Sequence, residues 1–172
     1  MNYRDTVLPR INGPRLLVYA GLASLTLFML SCSDDGPTQP AYEFADLEYR
    51  IFQLVNLHRD TVSLGALDMS DVITEQARNH SKNMAAGAVP FGHDGFETRV
   101  SVISQKIRLS KAGENVVAGT GLSNSGETAV KLWLNSPGHR ANIEGDFNLT
   151  GVGAAKSASG SLFITQIFVK SQ

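Results

Sequence analysis

Cysteine is nearly absent. The 172-residue chain has one, Cys32, so no disulfide can form within it. Domains outside the reducing cytoplasm often rely on such bridges; here the packed core has to hold the fold alone. Clustered charge is also missing. Lys and Arg number 15 against 16 Asp and Glu, for a net charge of -1, and no basic block occurs. Phosphate backbones are bound by grouped Lys and Arg, so nucleic acid is not an expected partner. Gly119-Thr120-Gly121 is an isolated glycine pair in a loop, not a phosphate cradle after a strand. No internal repeat is present. The main uncharged apolar run, Leu16 to Leu30, falls short of the ~20 residues that a spanning helix needs.

That run follows Arg4, Arg10 and Arg15, which is the layout of a secretory signal peptide over residues 1–31. It ends in Leu30-Ser31-Cys32 and resembles the lipobox of bacterial lipoproteins, with Met29 where leucine is commonest. The resemblance implies a diacylated Cys32 as mature N-terminus, with the membrane as a partner. Each buried acyl methylene contributes about 0.8 kcal/mol, and two chains anchor durably. The competing reading is an uncleaved anchor with a free thiol. Residues 32–43 continue with Gly36, Pro37 and Pro40 among polar side chains, as a linker does. Ser33-Asp34-Asp35 resembles an acidic surface-export signal, but three residues are read in preference as a plain solvated tether.

The remaining residues, 44–172, suffice for one domain with its own core. Phe44, Leu47, Ile51, Leu54, Val55 and His58 recur at helical spacing and predict a helix from about Ala45 to Arg59. Ser70 or Asp71 opens a second helix, with Ile73, Ala77, His80, Met84 and Ala88 on its stripe and Gly87 near its end. Asp94 and Glu97 are spaced as a capping box ahead of Phe96, Val100, Ile103 and Ile107. A fourth helix starts near Ser125 and buries Ala129, Val130, Trp133 and Leu134; Ser136-Pro137 opens a fifth. The period then changes. Thr150 to Lys156, a turn at Ser157 to Ser161, and Leu162 to Val169 read as an antiparallel hairpin, and Val116 to Gly119 as another short strand. Leu162 to Val169 is apolar on both faces, which places helices on both sides of its sheet. The expected class is α+β, as a three-layer α-β-α sandwich with a central antiparallel sheet.

Chemistry-bearing residues concentrate in Gly- and Pro-punctuated segments: His93 in F-G-H, Glu114 in A-G-E-N, and His139 in W-L-N-S-P-G-H-R. Two imidazoles can hold zinc or a similar divalent ion, or simply shape a polar cleft. Glu114 is read either as a general base on a metal-bound water or as a carboxylate that accepts backbone N–H groups and fixes the loop from Lys111 to Thr120. Asn115 suits satisfying backbone groups. Ser136 is three residues before His139, but its expected use is as helix N-cap, accepting from Gly138 or His139, rather than as a nucleophile. His80, on an apolar stripe, is expected in the core and bonded to backbone. His58 is expected to act as a helix C-terminal charge.

The order of the motifs adds to this. Val55-Asn56-x-x-Arg59 is followed by Leu64-x-x-Leu67, Ala77-x-x-His80-Ser81 and Phe91-x-His93. Gly113-Glu114-Asn115, Trp133-x-x-Ser136-Pro137-Gly138-His139-Arg140, Gly151-Val152-Gly153 and Gln166-x-Phe168 come next. The series resembles the bacterial branch of the CAP superfamily (cysteine-rich secretory, antigen 5 and pathogenesis-related proteins) over about residues 44–170. The resemblance implies an α-β-α sandwich and a cleft of two histidines and two acids. His93, His139 and Glu114 match three of these; the second acid falls on Ser136, so the tetrad is a triad. Glu127, Glu144 and Asp146 are the candidates to replace it. The expected protein is an exported, membrane-anchored lipoprotein of the cell envelope. Its cleft (His93, Glu114, Asn115, Ser136, His139) binds a lipid-like, peptide or envelope ligand. The rival reading is a metal-assisted hydrolase of peptide or cell-envelope material, with zinc on His93 and His139 and Glu114 as catalytic base. A structural protein with a vestigial cleft is the third.

Overall fold

The computed structural model describes residues 42–122 and 126–172. Cys32, the signal segment and Ser125 lie outside the described residues. The elements run α1 (Ala45–Thr61), β1 (Asp68–Met69), α2 (Asp71–Ala85), α3 (Phe96–Ser104), β2 (Leu109–Gly119), α4 (Glu127–Asn135), α5 (Pro137–Ile143), β3 (Leu149–Lys156) and β4 (Leu162–Ser171). The sheet order is β1-β3-β4-β2. The three long strands are antiparallel, as expected; the two-residue β1 adds a short parallel pair with β3 that the sequence reading missed.

Alternation along the strands assigns the layers. Val152, Ala154, Ile164 and Phe168 share one core with Leu47, Ile51 and Val55 of α1, Trp133 of α4 and Ile143 of α5. Ile167 and Val169 face the other way, against Ile73 and Ala77 of α2 and Ile103 of α3. The result is the three-layer sandwich.

The glycines of β3 set how close α2 lies. A Cβ on Gly151 would fall on the backbone of Ile73 and Thr74, and one on Gly153 on that of Ala77 and Arg78. One step of two residues along a strand is about 6.6 Å. One step of four along a helix is about 6 Å. The G-x-G spacing therefore matches successive turns of α2. Ser81, one turn further, donates to the Gly153 carbonyl and is hydrogen-bonded to the Thr165 hydroxyl, at 2.9 Å each.

At both edges of the sheet, side chains engage some of the outward-facing backbone groups, which blunts edges that would otherwise invite aggregation. On β3, the Ala154 N–H donates to Glu48 Oε1 at 2.9 Å, and the Ala154 carbonyl accepts the Tyr42 hydroxyl. Glu48, 2% exposed, also takes a two-pronged ion pair from Arg78. On β2, Trp133 Nε1 donates to the Val116 carbonyl at 3.2 Å and Asn142 Nδ2 to the Glu114 carbonyl at 3.1 Å.

Several local expectations are corrected. α3 starts after Gly95, which takes a left-handed φ of 75° and supplies no side-chain cap, so Asp94 and Glu97 form no capping box. α2 stops at Ala85, and Ala88 is exposed beyond it. Residues 109–119 are one long strand rather than a loop followed by a short strand.

Gly153→Ala is expected to cost at least about 3 kcal/mol, the upper range for overpacking, because the obstructing atoms are backbone and cannot turn aside. Urea denaturation checks it; a midpoint within error of the parent would mean that α2 can retreat from β3.

Candidate functional site

The G-E-N tripeptide can be read residue by residue on β2. Neighbours on a strand point to opposite faces. Glu114 turns toward α3 and Asn115 toward α5. Gly113 leaves room for the α5 end: a Cβ there would stand 2.8 Å from Asn142 Oδ1 and 3.3 Å from the Phe147 ring. Asn115 Nδ2 donates to the His139 carbonyl at 3.0 Å, and its Oδ1 accepts from Asn142 Nδ2 at 2.9 Å. Asn115 therefore has the backbone-satisfying role expected of it, and it fastens α5 to the strand.

Glu114 does not accept backbone N–H groups as its structural reading supposed. Its partners are Arg99 and His93. Arg99 Nε donates to Oε2 and Arg99 Nη2 to Oε1, both at 2.8 Å. His93 Nδ1 meets Oε1 at 2.9 Å. The Glu114 side chain is 1% exposed, the His93 ring 53%. A carboxylate only accepts, so Nδ1 carries the hydrogen and the lone pair of neutral His93 lies on Nε2.

The loop that carries His93 is held from behind. His80 Nε2 donates to the Gly92 carbonyl at 2.8 Å, and Arg99 Nη1 to the Asp94 carbonyl at 2.8 Å. His80 is 3% exposed, as its place on the α2 stripe predicts. Burial, opposed by the bond to Gly92, holds its imidazole below the usual value.

His139 is in the first turn of α5 and is half-buried. Burial, and then the neighbouring His93, hold its imidazole below the usual value. The two histidines, far apart in sequence, are thus within electrostatic reach of each other. Ser136 occupies the N-cap position of α5, but its hydroxyl makes no capping bond; its carbonyl accepts from Arg140 N–H at 2.9 Å and its own N–H donates to the Trp133 carbonyl at 3.1 Å.

None of the three acids offered as replacements for the missing carboxylate is bonded to the histidines. Glu144 pairs with His58 at 2.9 Å, Asp146 with Lys170 at 2.7 Å, and Glu127 with Arg50 at 3.1 Å. His58 thus bridges to α5 through Glu144, beyond its expected role as a helix-end charge. Among the described residues no set of three His, Cys, Asp or Glu converges as a metal site. Two imidazoles fall short of the three protein ligands usual for catalytic zinc, so the donor set does not fit a resident catalytic metal.

Arg99 is the site residue that sequence reading missed. A signal existed: position 99 is three residues after Phe96 and four before Ile103, on the buried stripe of α3, and Arg99 is 8% exposed there. A charged residue at such a position needs a buried partner. Arg59 on α1 follows the same logic. It is 3% exposed and donates to the carbonyls of Gly65, Ile143, Gly145 and Phe147.

The family model for the cysteine-rich secretory protein (CAP) family matches residues 52–168. The chain belongs to the CAP family. Bacillus subtilis (strain 168) YkwD is 30% identical over 126 residues, covering 72% of this chain and 47% of YkwD. A solved structure of an extracellular protein with an SCP domain from Bacillus anthracis superposes with a TM-score of 0.61 at 31% identity. The match covers 73% of this chain and 40% of that one. An outer surface protein of Borrelia burgdorferi shares the fold with a TM-score of 0.63 at 16% identity, over 76% of this chain and 97% of that one. The chain thus spans less than half the length of the two Bacillus relatives. The matched residues contain no cysteine, despite the family's name; the chain's one cysteine is Cys32.

Two outcomes follow. Removing one partner of a buried ion pair strands the other, at a cost of about 3–5 kcal/mol. Glu114→Gln is expected to lose stability of that order in urea melts. Arg99→Met combined with Glu114→Gln should lose much less than the two single losses added; simple additivity would show that the pair is not coupled. The second outcome concerns pH. His80 and His139 have folded values below those of the unfolded chain. As pH falls through about 6.5 the unfolded chain takes up protons first. Stability is therefore fully present above that pH and declines below it, toward the folded values. Thermal melts from pH 7.5 to 5 should show the decline, and His80→Gln with His139→Gln should flatten it. An unchanged slope in the double variant would refute the assignment.

Proposed function

We propose that this CAP domain is a ligand-binding module of the cell envelope, exported and tethered through lipid on Cys32, and that it works through His93 and His139. The state of Glu114 carries the reading. Both of its oxygens are engaged by Arg99 and His93 in a nearly dry site. With both oxygens engaged and the side chain 1% exposed, Glu114 is poorly placed to meet a water molecule. It serves instead to orient His93, whose Nε2 is left to accept a hydrogen bond from a ligand. An acceptor held in one tautomer and one orientation binds with little ordering cost. His139, whose imidazole burial and the nearby His93 hold below the usual value, is the second contact, with Asn115 and Ser136 beside it.

The hydrolase reading needs Glu114 free as a base and a metal on the two imidazoles. The engagement of both carboxylate oxygens and the two-imidazole donor set both argue against it. Export is supported by the N-terminal segment and by the extracellular and outer-surface relatives named above. Ligands of three kinds fit the resemblance: lipid-like, peptide and envelope-derived.

NMR of the imidazole C–H groups tests the reading, with a short fatty acid, a dipeptide and a muropeptide as probes. The expected result is a saturable shift of the His93 and His139 signals with at least one probe, lost in His93→Ala, with no probe cleaved. Cleavage that His93→Ala or Glu114→Gln abolishes would sink the binding-module reading and promote the hydrolase. Tethering is checked separately. Cys32→Ala should move the protein from the membrane to the soluble fraction; a mutant as membrane-bound as the parent would rule out the lipid anchor.

A further inference from the structure

Behind the ion pair, on the side of Arg99 away from Glu114, α2 and the start of α3 line an open cavity of about 270 Å³. Its floor is His80 and Arg99, 3% and 8% exposed. One wall is a face of α2 where Gln76, Asn79 and Asn83 follow at helical spacing; the other carries Asp94 and Thr98. Among the described residues, the side chains of Gln76, Asn79, Asn83 and Thr98 have no hydrogen-bond partner in the protein. We propose that this cavity is a binding site, separate from the His93–His139 face, for a neutral polyhydroxylated ligand the size of one sugar ring.

The charge and donor inventory selects that chemistry. Arg99 has five N–H donors. Four are engaged, by Glu114 twice and by the carbonyls of Asp94 and His93. The remaining one is on Nη1, which stands 3.5 Å from where a Gly95 Cβ would be, on the cavity wall. An anion would therefore find a single free charged donor and face the Asp94 carboxylate. A cation would face a guanidinium. An apolar ligand would strip water from three amides and return no hydrogen bonds. A ring of hydroxyls both donates and accepts at every corner. Each amide offers the same pair of functions, Asp94 accepts, and Thr98 does either. His80 adds an acceptor: with Nε2 donating to Gly92, its Nδ1 carries the lone pair in the neutral ring. The floor is preorganised, since both of its residues are bonded to the His93 loop and cannot swing away. The site goes beyond the proposed ligand-binding role of the histidines and does not depend on it.

The test is an amide NMR titration of the purified full chain with glucose and with N-acetylglucosamine, using glycerol at equal hydroxyl concentration as the control. The expected result is a saturable shift of the side-chain NH₂ signals of Asn79 and Asn83 with at least one sugar in the millimolar range, and none with glycerol. Asn79→Ala with Asn83→Ala should weaken that binding at least tenfold. Both side chains are exposed, so the variant should melt as the parent does. Because the cavity also holds Gln76 and Thr98, Gln76→Ala with Thr98→Val is a second variant expected to weaken it. No saturable shift up to about 100 mM, or equal shifts with glycerol, overturns the proposal. Shifts centred on the His93 and His139 rings with the Asn79 and Asn83 amides unmoved also overturn it, while leaving the histidine reading intact.

Discussion

Arg99 and Glu114 meet as a two-pronged ion pair between α3 and β2, with the carboxylate almost out of water. Much of the site follows from that contact. It docks the first turn of α3 against the strand. It leaves Arg99 donors for the carbonyls of the His93 loop. It presents one carboxylate oxygen to His93 Nδ1 and so fixes which nitrogen of that ring faces outward. Buried pairs contribute little net stability compared with well-packed apolar residues. Their use here is in geometry: an exposed imidazole in a glycine-flanked loop acquires one orientation.

A second buried acid plays a related part at the opposite edge. Glu48 binds Arg78 across from α1 to α2 and also takes the outward-facing N–H of Ala154. Burial pushes its carboxyl above the usual range, against the pull of Arg78. The two edges of the sheet are closed by different chemistry, carboxylate and phenol on β3, indole and amide on β2. With no disulfide available in the chain, these polar clamps and the close α2–β3 seam connect layers that apolar packing alone would leave free to slide.

Most of the secondary structure was legible because its causes are local. The stripes of α1 and α2, the Ser136-Pro137 start and the hairpin around Ser157 to Ser161 each write their period into a few consecutive residues. The failures also have physical reasons. Gly95 ends a loop in a left-handed conformation, so the Asp94–Glu97 spacing never becomes a cap. Polar Lys111 and Gly113 disguised the first half of β2, whose pairing with β4 is a long-range fact. The two-residue β1 has no period to read.

For the site, the sequence by itself determined which residue types were available: two histidines and a glutamate in order, Asn115 beside Glu114, and Ser136 where a second acid would stand. Strand alternation was enough to send Glu114 and Asn115 to opposite faces once β2 existed. Only the tertiary structure decided what Glu114 does. Its partner comes from another element, 15 residues away along the chain, and a charged residue on an apolar stripe announces that a partner is needed without naming it. Burial then settles the rest: with Arg99 on both carboxylate oxygens and His93 on one of them, neither oxygen is left facing water, and of these three side chains only the His93 ring remains exposed.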